Sequence, residues 1–288
     1  GTVKNGLSHV AEASTKAEFV CGMIRGLGGN LNIDSRTTFA KEVFLWAGER
    51  PPDLGDPLDC TANGSSFVQY SASTELEGDG LSGLAQSQSI IRTKTVNRTM
   101  DLVAGWIASM EPFILVGPEG CGKSMILNHC FGNMKSTSVA TLHCNAQTTA
   151  EHVIQKIQQA CGLISTNAGR VYRPRQSERV VLFLKDINLP KPDKYNTCML
   201  IAFLQQLITF NGFYDEQLEF IGLERVHIVC TMNAASTVGR HPLSTRFTAI
   251  VRIAYVDYPS NKELIGVYPS ILQAALSADT GGSSSALR

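Results

Sequence analysis

The chain has 288 residues, with 25 basic and 25 acidic side chains and no formal net charge. Hydrophobic residues make up 43% of it and charged residues 17%, which is typical of a globular protein with a sizeable core. The even charge balance excludes a general attraction to nucleic acid or anionic lipid. No apolar run reaches the roughly 18 residues that a membrane span needs. We therefore expect neither a nucleic-acid partner nor a membrane partner.

The two ends of the sequence look like cut ends. The chain begins Gly1-Thr2-Val3, without an initiator methionine or an apolar leader, and it finishes in a stretch rich in glycine and serine. These features indicate a fragment of a longer protein, in which targeting signals would be missing.

The cysteines and histidines show no ligand spacing. None of the eight cysteines forms a C-x-x-C pair, and most lie in apolar stretches. This pattern predicts buried free thiols in a reducing compartment, without a disulfide framework or a zinc site. The six histidines are expected in the core or at the surface, without a metal.

Residues 1–50 are predicted to be helical. Thr15 and Glu18 match a capping box, and the helix that follows should end at Gly28. A second helix is predicted over residues 34–47, where apolar side chains recur at helical spacing. The side chains expected on its buried face are Phe39, Val43 and Trp46.

Residues 51–89 differ in composition from the rest of the chain. They are rich in glycine, serine, aspartate and glutamate, and no lysine or arginine occurs between Arg50 and Arg92. This composition favours an acidic, partly disordered linker or long surface loop that carries no chemistry.

From Ile90 onward, short β-branched runs alternate with amphipathic stretches, which predicts an α/β fold. We expect a parallel five-stranded sheet flanked by helices over residues 90–275, followed by a disordered tail or cut lid at 276–288. The predicted strands are 113–116, 137–143, 180–184, 226–231 and 250–255. The predicted helices are 98–110, 122–134, 148–161 and 195–210.

Residues 117–124 match the phosphate-binding pattern G-x-x-x-x-G-K-[ST], between a predicted strand and a predicted helix. Glycines allow the backbone N–H groups to curl around phosphate oxygens, and the helix N-terminus adds partial positive charge. Lys123 is expected to reach the β- and γ-phosphates, and the hydroxyl of Ser124 to bind Mg²⁺. We also expect the helix N-terminus to lower the pKa of the Cys121 thiol. The residues of this loop are Gly117, Pro118, Glu119, Gly120, Cys121, Gly122, Lys123 and Ser124.

The next acidic motif is incomplete. A phosphate-loop ATPase needs an Asp at a strand end for Mg²⁺ and usually a following Glu to polarise water. Here the strand 180–184 is followed by Lys185, Asp186 and Ile187. Either Asp186 is the magnesium ligand and Ile187 replaces the Glu, or Asp186 replaces the Glu and Lys185 occupies the metal position. Both registers predict nucleotide binding with slow or absent hydrolysis.

Two further polar residues follow later strands. Asn233 comes at the end of the strand 226–231, where a polar side chain can face a γ-phosphate. Arg246 lies on a predicted surface turn, from which it could reach the phosphate of an adjacent module.

Taken together, these segments resemble the dynein heavy chain, and within it the third AAA+ module. The Lys-Asp pair at 185–186 and the run Gly169–Pro174 look most like the intraflagellar-transport (cytoplasmic type 2) dynein. The resemblance covers about residues 90–275, and residues 1–50 look like the last helices of the preceding module's small domain. The segments that carry it are Phe113–Ser124, Leu184–Pro190, Ala202–Gln206, Gly212–Asp215, Gly239–Phe247 and Val256–Pro259.

The resemblance implies a role for each matching position. Gly117–Ser124 would be the Walker A loop of a P-loop NTPase, Ile90 and Ile91 would line the adenine pocket, and Asp186 would be the surviving Walker B acid, sharing Mg²⁺ with Ser124. The roles implied for the remaining positions are sensor I for Asn233, an arginine finger acting in trans on the second module's nucleotide for Arg246, and a β-hairpin insert within residues 162–178.

The resemblance also implies partners and a location. These are ATP or ADP with Mg²⁺, the other AAA+ modules of one heavy chain in a ring, and dynein accessory subunits, with microtubules contacted only through other parts of the motor. The third module would regulate the first, in the cytoplasm, on the cytoskeleton and in the cilium or flagellum. Because Lys185-Asp186 replaces the usual Asp-Glu pair and the helical lid would follow residue 288, we expect weak affinity and little catalysis.

Two other interpretations remain open at the level of sequence. The chain could be a free-standing active P-loop ATPase or kinase, or a structural ring spacer that has lost its ligand. Phosphate release would favour the first of these, and failure to bind ATP or ADP would favour the second.

Overall fold

The computed structural model describes residues 9–11, 13–73, 76–77, 90–167 and 169–282. Up to the first strand of the central sheet, the elements are α1 (Lys16–Gly28), α2 (Ile33–Ala47), β1 (Cys60–Asn63), β2 (Ser66–Gln69), β3 (Leu76–Glu77), β4 (Ile90–Ile91), α3 (Lys94–Ala108) and β5 (Phe113–Val116). They are followed by α4 (Lys123–Gly132), β6 (Thr137–His143), α5 (Ala150–Ala160), β7 (Cys161–Thr166), β8 (Gly169–Pro174), β9 (Arg179–Lys185), α6 (Met199–Phe210), β10 (Gly212–Tyr214), β11 (Phe220–Leu223), β12 (Val226–Met232), α7 (Thr245–Thr248), β13 (Arg252–Tyr255) and α8 (Asn261–Gly282).

The central sheet has five strands in the order β13-β5-β12-β9-β6, and all neighbouring pairs are parallel. Helices cover both of its faces, which explains why its inner strands are continuous apolar runs. One face packs against α3 and α4, and the other packs against α5 and α6. The predicted α/β fold, with a parallel five-stranded sheet flanked by helices, is confirmed.

A second sheet lies beside the first, in the order β10-β11-β8-β7. Its hairpin β7–β8 is the insert expected within residues 162–178, and it begins at Cys161. Strands β10 and β11, which were not predicted from the sequence, join this hairpin through a parallel pairing of β11 with β8. Stacking of Tyr172 on Phe213, with ring centroids 6.3 Å apart, helps to hold the two halves of this sheet together.

The N-terminal helices form as predicted, with one error in the buried face. Thr15 and Glu18 form the capping box of α1, and Gly48 ends α2 in the left-handed conformation with φ of 66°. Val43 is buried, but Trp46 is 73% exposed, so its predicted burial is wrong. Phe44 takes its place in the core, because the hairpin β1–β2 covers that side of α2 through an edge contact of Phe67 with Phe44.

Part of the segment predicted to be a linker is folded. The antiparallel hairpin β1–β2 lies within it, and Leu58 and Cys60 are buried against α1 and α2. The expectation of a partly disordered linker or long surface loop is therefore wrong for this stretch, because a few apolar side chains suffice to anchor a short hairpin on existing helices. Residues 74–75 and 78–89, on which the prediction of disorder also falls, lie outside the described residues.

Two arginines tie the N-terminal helices to the rest of the chain. The buried Arg36 donates hydrogen bonds to backbone oxygens of Gly28, Gly29 and Leu31, and to that of Tyr255 in β13 at 3.1 Å. The Tyr255 amide in turn donates to the Gly29 carbonyl at 2.8 Å. A second junction joins α1 to the hairpin and to α3. Its hydrogen bonds involve Arg25, Thr61, Tyr70 and Asp101.

Helix α8 crosses the predicted domain boundary at residue 275. Its Glu263 accepts hydrogen bonds from the backbone and hydroxyl of Thr95, at 2.8 and 2.9 Å, and so holds the start of α8 against the start of α3. Residues 283–288, part of the predicted tail, lie outside the described residues. Among the helices that the structure describes, none is both long and apolar enough to cross a lipid bilayer.

Candidate nucleotide site

The loop between β5 and α4 has the shape of a phosphate cradle. Gly120 and Gly122 adopt positive φ of 74° and 86°, which turns the backbone into the first turn of α4. Residues with a Cβ rarely adopt this conformation, so the glycine spacing in the sequence is a direct requirement of the curl. Ser124 lies in the first turn of the helix, partly exposed.

Gly117 is required for a different reason. A Cβ added at this position would lie 2.3 Å from the carbonyl oxygen of Val256, which follows β13. The Val256 amide also donates to the carbonyl of Val116 at 2.8 Å. The start of the loop is thus pressed against the backbone of the neighbouring strand.

Lys123 is buried, and its ammonium lies inside the loop. Its Nζ donates to the carbonyls of Gly117 at 2.9 Å and Pro118 at 2.6 Å. These carbonyls hold the cation at the centre of the cradle, where a polyphosphate would replace them as its partner.

The expectation of a low thiol pKa at Cys121 is wrong. Its side chain is only 6% exposed, and burial raises the pKa of the thiol above its ordinary value, although Lys123 acts in the opposite direction. Because the thiolate is the reactive form, the thiol should be inert.

Asp186 and the loop are joined by Arg240, which the sequence analysis did not identify. Nη1 of Arg240 lies 3.3 Å from Oδ1 of Asp186, and Nη2 lies 3.6 Å from Oε1 of Glu119. The Arg240 side chain is 11% exposed, and Nη1 has no partner in hydrogen-bond geometry among the described residues. Arg240 lies in the segment Gly239–Phe247 that carries the resemblance, but no role was expected for it, because it lies 54 residues from Asp186 in the sequence and meets it only through the sheet.

Asn233 also reaches the loop, as expected for a polar residue after β12. Its Nδ2 donates to Oε1 of Glu119 at 3.0 Å, and its carbonyl accepts from Nδ2 of Asn188 at 2.9 Å. Tyr258, another residue that was not predicted, donates its hydroxyl to the Glu119 carbonyl at 2.6 Å. Glu119 of the phosphate loop therefore contacts both the segment that follows β12 and the segment that follows β13.

Lys185 is the last residue of β9 and points to the same face of the sheet as Phe183. Its Nζ lies 5.3 Å from the centroid of the Phe183 ring, which itself contacts Phe131 of α4. Burial lowers the pKa of Lys185, while the adjacent Asp186 raises it. Asp186 has already left the strand, with a positive φ of 59°. This placement favours the second register, in which Lys185 occupies the metal position.

The two isoleucines expected at the adenine pocket face different ways. Ile90 is completely buried in the core beside α3 and α4. Ile91 lines a cavity of about 680 Å³ together with Thr93, Tyr258 and Val267, within the size range of small-molecule pockets. The role of both residues in binding adenine stays a prediction.

Arg246 lies in the short helix α7, whose Phe247 is buried and whose Ser244 caps the first turn. The Arg246 side chain is exposed and lines a separate cavity with residues that follow β9. The structure does not bring it to this chain's own loop, and its action in trans stays a prediction.

Comparison with known proteins decides the family. Residues 82–259 match the model described as the P-loop containing dynein motor region, and residues 1–47 match the AAA+ ATPase domain of cytoplasmic dynein 2 heavy chain 1. The chain belongs to the dynein heavy-chain motor family. The resemblance seen in the sequence is thereby confirmed, and a P-loop ATPase domain of this family implies nucleotide binding.

Relatives of this dynein segment are called cytoplasmic dynein 2 heavy chain 1. The rat protein is 50% identical over 96% of the chain, and the protein of the sea urchin Tripneustes gratilla is 50% identical over 98%. The human protein is 49% identical over 96% of the chain. The chain spans only 6–7% of the length of these relatives.

Proposed function

We propose that residues 90–275 form a regulatory AAA+ module that holds ATP or ADP in the loop Gly117–Ser124 and cleaves ATP slowly or not at all. The observation that carries this proposal is the pairing of an intact loop with an altered acidic motif. Lys123 lies at the centre of the cradle, while Lys185 ends the strand where a hydrolysing module has an acid.

The residues present fit a nucleotide. Loop amides and the ammonium of Lys123 would bind the phosphates, and Ile91 would face the base from the neighbouring cavity. A bound nucleotide supplies a polyphosphate whose charge the loop can sense, whether or not it is cleaved. We propose that Asn233 reports that charge through its hydrogen bond to Glu119.

Hydrolysis needs a group that orients water, and the geometry provides a poor one. Asp186 is the acid available at the end of β9, and the guanidinium of Arg240 faces it at 3.3 Å. A carboxylate held by a cation is less free to orient water. We therefore propose that the module reports nucleotide occupancy more than it consumes ATP.

Titration of the chain with a fluorescent ADP or ATP analogue tests the proposal. Binding should saturate, and Lys123→Ala should abolish it by removing the phosphate-facing ammonium. Lys135→Ala makes the same charge change at an exposed position after α4 and should leave affinity unchanged. Failure of the unaltered chain to bind at millimolar nucleotide would favour the structural spacer instead.

Phosphate release separates the proposal from the free-standing enzyme. We expect a rate far below the roughly 1 s⁻¹ that marks the slow end of ordinary enzymes. Sustained turnover at or above that rate, lost in Lys123→Ala, would instead support an active ATPase or kinase.

The similarity to dynein 2 heavy chains supports the proposal that this module belongs to a larger assembly. We propose that it is the third module of a ring within one heavy chain, that its nucleotide state gates the first module, and that the motor drives intraflagellar transport along microtubules in the cilium. What supports this is about 50% identity to dynein 2 over nearly the whole chain. Accessory subunits and the microtubule would contact other parts of the heavy chain.

A further inference from the structure

We propose that this site binds its nucleotide as the metal-free anion, with the ammonium of Lys185 in the place where a phosphate-loop ATPase positions a magnesium-binding carboxylate. The inference rests on the proposed nucleotide binding and adds the ionic form of the ligand. It would make the site a sensor of nucleotide that needs no divalent cation.

The placement of Lys185 is the first step. Side chains alternate along β9, and Val181 and Phe183 pack in the core on the side of α4, the helix that follows the phosphate loop. Lys185 continues that side, and its Nζ lies over the Phe183 ring at 5.3 Å from the centroid. Lys185 therefore ends β9 at the carboxyl end of the sheet, and its ammonium lies over Phe183 on the face that carries the loop helix.

The ammonium of Lys185 is also available for a ligand. No carboxylate of the described residues lies within salt-bridge distance of it, and Asp186 turns away from the strand toward Arg240. A half-buried ammonium outside salt-bridge distance of a carboxylate is incompletely compensated, and a bound phosphate would complete that compensation.

The donor set does not fit Mg²⁺. Magnesium requires hard oxygen ligands in near-octahedral geometry, usually including one or two carboxylates. The hydroxyl of Ser124 is the one neutral oxygen that the loop helix offers in its first turn, and Asp186 is already paired with the guanidinium of Arg240 at 3.3 Å. An ammonium at the strand end cannot bind a metal and repels it.

Protein cations can supply the missing charge. Lys123 lies inside the loop, Arg240 lies 3.6 Å from Glu119 of the loop, and Lys185 ends the strand β9. Nη1 of Arg240 still has an N–H to donate. These three cations outnumber the two carboxylates, Asp186 and Glu119, that lie beside Arg240, so the group keeps a net positive charge for a polyphosphate without a metal. By linkage, a site that prefers free ADP must bind it more weakly when Mg²⁺ converts ADP to its magnesium complex.

Titration of the whole chain with fluorescent ADP, once in EDTA and once in millimolar Mg²⁺, tests this inference. We expect the apparent dissociation constant in Mg²⁺ to equal or exceed that in EDTA. Lys185→Asp should reverse this order, with affinity at least about tenfold higher in Mg²⁺ than in EDTA, since a carboxylate would then share the metal with Ser124. Lys191→Asp makes the same charge change at an exposed position six residues away and should behave as the unaltered chain.

Lys185→Met provides a second variant of similar length, in case a carboxylate beside Phe183 prevents folding. It should weaken binding of ADP in EDTA by about tenfold or more, because one phosphate-facing charge is lost. Circular dichroism should confirm that both variants are folded.

The outcomes separate the two proposals. Tenfold tighter binding of ADP in Mg²⁺ than in EDTA by the unaltered chain would overturn the metal-free site while leaving the proposed function intact. Equal binding by Lys185→Met and the unaltered chain in EDTA would overturn the role of Lys185. Absence of binding under both conditions would overturn the proposed function and this inference with it.

Discussion

At the scale of single residues, two glycines at the two ends of the loop–helix segment 117–132 should respond differently to substitution by alanine. Gly117→Ala should lower the free energy of unfolding by about 1–3 kcal/mol, because its Cβ would meet the Val256 carbonyl at 2.3 Å. Gly132→Ala should be neutral or raise stability by up to about 1 kcal/mol, since no atom lies within 4 Å of the added Cβ and alanine favours a helix. Urea denaturation of both variants measures the difference. Equal effects would contradict the close contact.

The two arginines after β12 should also differ. Arg240→Ala should cost about 1 kcal/mol and speed hydrogen exchange of the loop amides, because it releases both Asp186 and Glu119. The partial exposure of Asp186 keeps this value modest. Arg246→Ala, at an exposed position, should change neither stability nor exchange. Slower or unchanged exchange in Arg240→Ala would show that the guanidinium does not restrain the loop.

At the scale of elements, the start of α8 depends on one carboxylate. Burial would raise the pKa of Glu263, but hydrogen bonds from Thr95 and Ser260 lower it overall. A lowered folded-state pKa stabilises the fold above the ordinary value of 4.5, and that contribution is lost as the pH falls through the folded-state pKa. Glu263→Gln should therefore destabilise the protein at pH 7 by about 1 kcal/mol and remove this pH dependence.

Thermal unfolding of Glu263→Gln and the unaltered chain at pH 7 and pH 4 is the measurement. The control is Glu42→Gln on α2, which is exposed. A stability gap that stayed constant with pH would mean that the carboxylate charge does not matter to docking of α8.

At the scale of the whole molecule, His227 should make the fold sensitive to mild acid. It is 1% exposed, and burial lowers its pKa from 6.5 to about 4. The unfolded chain therefore takes up a proton before the folded chain does, so stability is complete above pH 6.5 and falls as the pH drops toward 4. The loss from this group approaches about 3 kcal/mol. His9, with its pKa also lowered to about 4, adds to the effect.

Comparison of chemical denaturation at pH 7 and pH 5 tests the role of His227. In His227→Phe, the difference in unfolding free energy between the two pH values should shrink, even though loss of the bond to the Glu111 carbonyl lowers stability at both. An unchanged difference would assign the acid sensitivity to other groups.

What the sequence could predict follows from how local each signal is. The inner strands of the central sheet are mainly apolar runs, and the loop 117–124 is a contiguous motif, so both were predicted within a few residues. The hairpin β1–β2 was not, because only Cys60 and Phe67 give it an apolar side. Trp46 was wrongly predicted to be buried, since helical spacing shows which side chains share one face of α2 but not which face another element covers. The contacts of Arg240 with Asp186 and Glu119 could not be predicted without knowing which strands are neighbours in the sheet.

The bond between Tyr255 and Gly29 has a mechanical consequence. Gly29 lies just after α1, Tyr255 ends β13, and the next residue, Val256, presses against Gly117 at the mouth of the phosphate loop. Both contacts, Tyr255 with Gly29 and Val256 with Gly117, are made by main-chain atoms. A tilt of the N-terminal helices therefore cannot be absorbed by a change of side-chain rotamer. A polyphosphate bound in the loop should thus rigidify the contact between Tyr255 and Gly29. ADP should therefore slow hydrogen exchange at the Tyr255 amide, although this amide does not contact the phosphates. If ADP does not change hydrogen exchange at the Tyr255 amide, the contact between Tyr255 and Gly29 and the phosphate loop move independently.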